Sequence, residues 1–478
     1  MHANSMTKLK ALGTPVRIAI LGYVLLVTAF YPGFMSPDSL VQYSISKTLE
    51  FNDWHPPIMS WVWSMLDVYV DGPQGLLLFQ LGLFWLGLYA WYQKYSDKRY
   101  SWIILGVGFL PWIVNFSGVL WKDVEMAYAL LLAMGLIIQK KTRARMVVAL
   151  ILVFYAINLR YNALFAAIPI VALMLRQWFD RTSKYGIAAL AMALLVVLIA
   201  LGNVLNYKVL RAVKSSPSTY MMVDDLSYLS MKRGRSLIPG IPMDDIRDCA
   251  SQEVGENKLV GRDFCLSRKE SYSRSDLYSS RTRDVWRREV VEDPFSYLWF
   301  RLSAFSYLLR SSSMEPFYIW HPGIDENKMG IRQAQNGLTV AVEWYVKSSA
   351  AAISFFFKPY FWLLLSLALL WVTFLSAKTA STAVVRALLI SALLYILGYV
   401  PATPMADFRY VYWAVLATSV AFSVMVTETA YVRSWKFTKL NMLFGVLIVA
   451  VVLLVSNSDR FFFVDWEKMT SNPIGAKG

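Results

Sequence analysis

The chain has 478 residues, of which 57% are hydrophobic, 15% aromatic and only 17% charged. With a mean hydropathy of +0.44, that balance excludes an ordinary soluble domain and points to a polytopic membrane protein. The net charge of +15 does not indicate nucleic-acid binding, because the basic residues fall between apolar runs, where cytoplasmic loops would place them.

Lys8, Lys10 and Arg17 precede the apolar run Ile18 to Phe30. No small-x-small cleavage pattern follows, only YPGFM, so this run is expected to stay as a first span. The stretch "SPDSLVQYSISKTLEFNDWHPP" (36–57) reads as a polar loop carrying Asp38, Glu50, Asp53 and His55, closed by two prolines. Residues 57–70, "PIMSWVWSMLDVYV", are apolar, but ~14 residues reach only ~21 Å, too little to cross a bilayer. Charge decides their place. If this segment lies in the membrane interface, started by Pro56-Pro57 with Asp53 as its cap, every basic loop falls on one side. Those loops carry Lys8, Lys10, Arg17, Lys94, Lys98, Arg99, the KKTRAR run (140–145), Arg176, Arg181, Lys184, Lys378, Arg386, Arg433, Lys436 and Lys439. The positive-inside rule makes that side cytoplasmic. Eleven spans are then predicted: 18–35, 74–93, 101–119, 124–139, 146–159, 161–176, 186–206, 355–376, 384–400, 410–429 and 440–456. The expected fold is an all-α polytopic membrane protein with a juxtamembrane helix.

This orientation puts a long polar insertion, 207–345, on the outer face. Apolar residues at 295, 298, 302, 305 and 309 predict a helix over 293–310, with Asp293 as cap and Pro294 in its first turn. The two cysteines, Cys249 and Cys265, share this insertion and are expected to pair if it faces an oxidising compartment; the alternative is two unrelated buried thiols. The predicted organisation is an N-terminal membrane module (1–206), a mostly helical outer domain (207–345), C-terminal spans (346–456) and a short outer tail (457–478).

Four polar clusters fall on the outer side at membrane level: Asp38, Asp53 and His55; "WKDVE" (121–125); "NLRYN" (158–162); and "PMADFRY" (404–410). Ionisable residues so placed are functional candidates. Each also has a plain structural account. Asp123 and Glu125 begin a span, where carboxylates suit the helix dipole, and Arg160 ends one, where a cation does. Arg409 opens a span, where a cation is disfavoured, so either a local pair with Asp407 or an anionic ligand is needed. Asp38 could be a solvated loop acid. With only His2, His55 and His321 in the chain, a three-histidine zinc site is implausible. A divalent cation such as Mg or Mn on Asp38, Asp123 and Glu125 stays open, as does metal independence. No P-loop, dinucleotide fingerprint or nucleophile elbow is present.

The order of these features, an acid after the first span, a juxtamembrane helix opened by HPP, a second acid cluster on the next outer loop and a large outer domain, resembles the GT-C superfamily of membrane glycosyltransferases. The bacterial transferases that decorate surface polysaccharide, including O-antigen serotype-converting enzymes, are the nearest sub-pattern. The resemblance covers the chain to about residue 206 and DFRY near its end. It implies a polyprenyl-phosphate-linked sugar donor, a glycan or glycolipid acceptor, the bacterial inner membrane with the N-terminus cytoplasmic, and a periplasmic active site. Asp38 would match the first-loop acid, and Asp123 or Glu125 the second. The family's first loop often carries two adjacent acids; here it reads PDS, which leaves Asp53 as a candidate for the missing one. The chemistry needs a carboxylate base for a weakly nucleophilic hydroxyl and cations for a phosphate leaving group. Lys122, Arg160 and Arg409 are the cations, with His55, Asn162, Asp407 and Tyr410 as further substrate contacts. Trp54, Trp61, Trp63 and Trp121 could stack on sugars or anchor at the interface. A lipid-linked sugar transporter or flippase would instead need polar residues through the spans. An O-antigen ligase or polymerase would also use arginines at the outer face.

Overall fold

A computed structural model of the chain describes residues 13–251, 259–269, 272–333, 335–376, 379–428 and 439–471. Lys8, Lys10, Lys378, Arg433 and Lys436, used above to orient the chain, lie outside the described residues. The structure is 71% helical with no strand among the described residues, so the all-α expectation is met.

Helix α1 (Thr14–Phe30) stops at Tyr31, since the residue before a proline is pushed out of helical conformation. The next stretch was expected as a loop, but most of it is a second helix, α2 (Pro37–Thr48). Pro37 and Asp38 suit its first turn. Its polar composition hid a one-sided pattern: Ser39, Leu40, Gln42, Tyr43 and Ser46 are all buried. Helix α3 (Pro57–Asp67) begins on Pro57 with Pro56 at its cap position. Asp53 does not cap it.

Helix α4 (Gln74–Lys94) packs along α5 (Lys122–Ile137), and every residue of α5 except Lys122 and Leu136 is buried. The two approach closely at a glycine: a Cβ on Gly87 would stand 2.9 Å from the Leu131 side chain. The span expected at 101–119 is broken into Trp102–Gly106, a 3-10 turn Val107–Phe109 and Pro111–Val114. Pro111 has no amide hydrogen to continue the ladder, and Gly106 and Gly108 weaken it further. Helices α6 (Arg143–Leu159), α7 (Ala163–Trp178) and α8 (Lys184–Val204) complete the first module.

A second core gathers Val223, Leu229, Cys249, Cys265, Leu266 and Phe300. It is built by α9 (Thr219–Arg233), α10 (Ser280–Glu292), α11 (Pro294–Leu309) and shorter turns. Cys249 and Cys265 are disulfide-bonded, their Cα atoms 5.6 Å apart. Val464 and Trp466, from the segment expected as a loose tail, belong to this core. Conversely, α12 (Gly337–Ala352) leaves it and packs on the membrane module, where Thr339 Oγ1 donates to the Ala29 carbonyl at 2.6 Å. Helices α13 (Pro359–Leu375), α14 (Ala380–Leu397), α15 (Tyr412–Thr427) and α16 (Lys439–Ser456) follow.

Among the described residues four helical stretches, not eleven, are both long and apolar enough to cross a membrane: Gln74–Lys94, Lys184–Val209, Ala380–Leu397 and Phe408–Thr427. Thr14–Phe30, Ala163–Trp178, Pro359–Leu375 and Gly445–Ser456 are apolar but shorter. Helices α5 and α6 have 16 and 17 residues; α5 sits inside the bundle, covered by its neighbours, while α6 keeps Val147, Val148 and Ile151 exposed.

Candidate active site

Three segments far apart in sequence build the site. The connection after α1 pairs with the one before α5: Phe34 N–H donates to the Gly118 carbonyl and Leu120 N–H to the Phe34 carbonyl, both at 2.9 Å. Ser39 Oγ adds a bond to the Leu120 carbonyl at 2.8 Å. These bonds fix Asp38, in the first turn of α2, beside Trp121, Lys122 and Asp123. The turn between α14 and α15 then brings in Asp407, Arg409 and Tyr410.

Three ion pairs result. Arg409 Nη1 lies 3.2 Å from Asp38 and its Nε 3.1 Å from Asp407, so the local pair and a distant partner are both present. Arg160, at the end of α6, places Nε 3.1 Å from Asp123 and donates from Nη2 to the Tyr399 hydroxyl at 2.8 Å. The Tyr410 ring joins the pairs: the guanidinium carbons of Arg160 and Arg409 lie 5.1 and 5.2 Å from its centroid. Arg409 also stacks 4.5 Å from the Trp121 ring. Such faces hold guanidinium planes while leaving their edges to bind anions.

The electrostatics sort the charged groups. Asp38 is the most open carboxylate of the pairs, its side chain 38% accessible, against 10% for Asp407 and 1% for Asp123. Withdrawal from water works against its charge, but Arg409, Lys122 and His55 outweigh that and hold it well below the usual carboxylate range. Burial pushes Asp407 the other way, and Arg409 only partly offsets it. Lys122 precedes the apolar part of α5 and has no ion-pair partner within 4 Å among the described residues. Burial, against the pull of Asp38, brings it down to about 8.

Other candidates are placed elsewhere. Asp53 is buried and ties the first loop to the segment leaving α8: its carboxylate accepts from the Tyr207 hydroxyl at 2.9 Å and from the Ser215 amide. These bonds make it a latch between the two segments. Glu125 turns into the bundle and accepts from the Tyr155 hydroxyl. Asn162 stands at the cap position of α7 without a side-chain capping bond. The proposed metal set therefore does not fit: Asp38, Asp123 and Glu125 each answer a different neighbour. Among the described residues no group of three His, Cys, Asp or Glu could hold an ion. His55 is buried near Asp38 and contributes to its field. Trp63 is a core residue, and Trp121 is the bed for Arg409, so neither offers a sugar platform.

Sequence reasoning missed several contributors. Tyr399 reaches Arg160 from α14's end. Tyr318 and His321, joined at 2.8 Å, pack on Trp121 at 5.9 and 5.6 Å. Their segment clamps the first loop, with Met35 N–H donating to the Gly323 carbonyl at 2.8 Å and Asp325 N–H to Met35 at 2.9 Å. The signal was "YIWHP" (318–322), aromatic residues and a histidine within a polar insertion. Trp54, half-buried, stacks on Tyr278 at 5.4 Å and approaches Tyr220 at 6.3 Å, so the outer unit meets the first loop beside the site.

Among solved structures, the chain is similar to the oligosaccharyltransferase AglB of Archaeoglobus fulgidus in complex with an inhibitory peptide and a dolichol-phosphate. The identity is 11%, over 92% of this chain and 55% of that one, with a TM-score of 0.35. The same organism's oligosaccharyltransferase with zinc and sulfate gives 13% identity, 92% and 52% coverage and a TM-score of 0.37. Its apo form gives 12%, 96% and 56%, and 0.38. The chain spans about half the length of these enzymes. No family model matches the sequence, and no curated protein matches it.

Proposed function

We propose that the chain is a GT-C-type inverting glycosyltransferase that moves a sugar from a polyprenyl-phosphate donor to a hydroxyl of a cell-surface glycan or glycolipid, at the outer face of a bacterial inner membrane. The observation that carries this reading is one convergence: Asp38 and Asp123 meet Lys122, Arg160 and Arg409 at one end of an apolar helical bundle. Lys122 and the two guanidinium edges bind the donor phosphate. The acceptor oxygen attacks the anomeric carbon as the carbon–oxygen bond to phosphate breaks. The electron pair of that bond leaves on the phosphate, and the hydroxyl proton passes to Asp38. A carboxylate held so acidic is a weak base, so the proton moves late, once bond formation has made the hydroxyl acidic. The cations stabilise the leaving anion, so no strong general acid is needed.

The test is a transfer assay with the purified full chain and a panel of polyprenyl-phosphate sugars, with product anomers assigned by NMR. An inverted product from one donor is expected. Arg160→Ala and Arg409→Ala should each weaken donor binding in folded protein. Normal donor affinity in both variants would remove the phosphate-binding role.

A further inference from the structure

Helix α11 is built inside out. Its face toward the second core carries Ser296, Arg301, Ser303 and Ser306, all buried, beside Phe300 and Ala304. Arg301 pairs with buried Asp225 at 2.5 Å and donates to the Met221 carbonyl at 2.9 Å, and Ser303 Oγ donates to the Trp299 carbonyl at 2.8 Å. The opposite face presents Phe295, 84% exposed, with Leu298 and Trp299, and Val291 of α10 extends the stripe one turn back. Exposed apolar residues at this spacing form one continuous strip.

The strip does not end at the helix. Trp299 Nε1 donates to the Phe463 carbonyl at 3.3 Å, and its ring lies 5.7 Å from Phe462. Phe461 and Phe463 are exposed as well. They follow α16, whose Met442, Leu443, Val446, Leu447, Val449 and Leu453 are exposed apolar side chains on a helix that would face lipid. The Ser312 amide and hydroxyl bond the Ser456 carbonyl, at 3.2 and 2.8 Å, which fixes the end of α11 against the end of α16. The apolar surface therefore runs from the flank of the last span onto the outer unit, with exposed Arg460 at the junction.

We infer that this strip is a membrane-docking face: Val291, Phe295, Leu298, Trp299, Phe461 and Phe463 sit in the headgroup region of the bilayer and hold the outer unit down on the leaflet. The occupant is lipid because the strip is continuous with the span's own lipid face. Aromatic residues beside an arginine also suit the headgroup zone. The inference rests on α16 crossing the membrane and not on the transfer chemistry.

The test uses the full chain in nanodiscs containing anionic lipid, with single nitroxide labels at F295C, V446C and R287C; both native cysteines are bonded. Collision with oxygen is compared with collision with a water-soluble nickel chelate. The V446C label should favour oxygen strongly, the R287C label should favour nickel, and the F295C label should favour oxygen at a shallower depth than V446C. A nickel-accessible label at Phe295 beside a lipid-exposed one at Val446 overturns the proposal. A Phe295 label shielded from both reagents also overturns it, in favour of a protein partner or second copy. A nickel-accessible label at Val446 overturns the spanning of α16 and the docking with it. As a second measure, F295S/L298S/F463S should keep the disulfide and the polar inner face yet lose the oxygen-favouring signal of a label at V291C.

Discussion

Asp38 and Asp407 share one guanidinium, but their environments push them in opposite directions. Asp38, being accessible and firmly ionised, is the group a hydroxyl acceptor can reach. Asp38→Asn should therefore lower turnover by ~10²-fold or more, as loss of a general base does, with donor binding retained. If Asp38→Asn turns over normally while Asp407→Asn or Asp123→Asn is dead, the base has been assigned to the wrong carboxylate. Because Asp38 is held low, it stays ionised through neutral and mildly acid pH, so it should produce no acid limb in the rate profile above the ordinary carboxylate range. Lys122 sets the alkaline side. It is charged below about 8 and neutral above, so donor affinity should hold below that pH and weaken as pH rises through it. Lys122→Met should flatten that dependence; an unchanged profile in the variant would assign the titration elsewhere. The acids and arginines of the site were legible in the sequence as charges at membrane level. Their pairing was not, because Arg409 meets Asp38 across 371 residues and Arg160 meets Tyr399 across 239.

At the scale of elements, the polar loop after the first span held the main surprise. Its helix, α2, buries Ser39, Gln42 and Ser46 among Leu40, Tyr43 and Ile45, and its inward contacts include hydrogen bonds such as Ser60 Oγ to the Gln42 carbonyl at 2.9 Å. An apolar-periodicity reading passes over such a helix. The same limit applied at 101–119, where apolar composition predicted a span but Gly106, Gly108 and Pro111 break the ladder. Asp53 shows a different failure: its charge was read as chemistry, while its bonds to Tyr207 and Ser215 make it a strut. Asp53→Ala leaves a half-buried hydroxyl and a half-buried amide without their acceptor. It should cost about 2 to 3 kcal/mol in reversible unfolding, in line with the loss of hydrogen bonds to a charged group. Asp53→Asn, which keeps an acceptor oxygen, should cost less. Equal stability of the alanine variant and the native chain would show that the latch carries no load. The disulfide closes a loop of 16 residues in sequence separation. Cys249→Ser should lower stability by ~3 kcal/mol, and mass spectrometry of unreduced peptides should find the native pair linked.

For the whole molecule, the basic loops are the ground for the proposed orientation, on which an outer-face site depends. Reporter fusions at Lys98 and Gly240 should report opposite sides of the membrane; the same side from both would invert the placement of α3. The number of crossings was poorly legible, because an enclosed helix such as α5 owes its apolar character to protein neighbours as much as to lipid. The distances in sequence that obscured the site also govern its birth. A ribosome delivers Asp38, Lys122, Asp123 and Arg160 long before Arg409 and Tyr410, so the nascent chain holds two acids and two cations with no completed pocket. On the proposed function, sugar transfer would begin only after the turn before α15 has been threaded into place. A stalled or prematurely terminated product would then be silent toward a lipid-linked donor, by the order of synthesis alone.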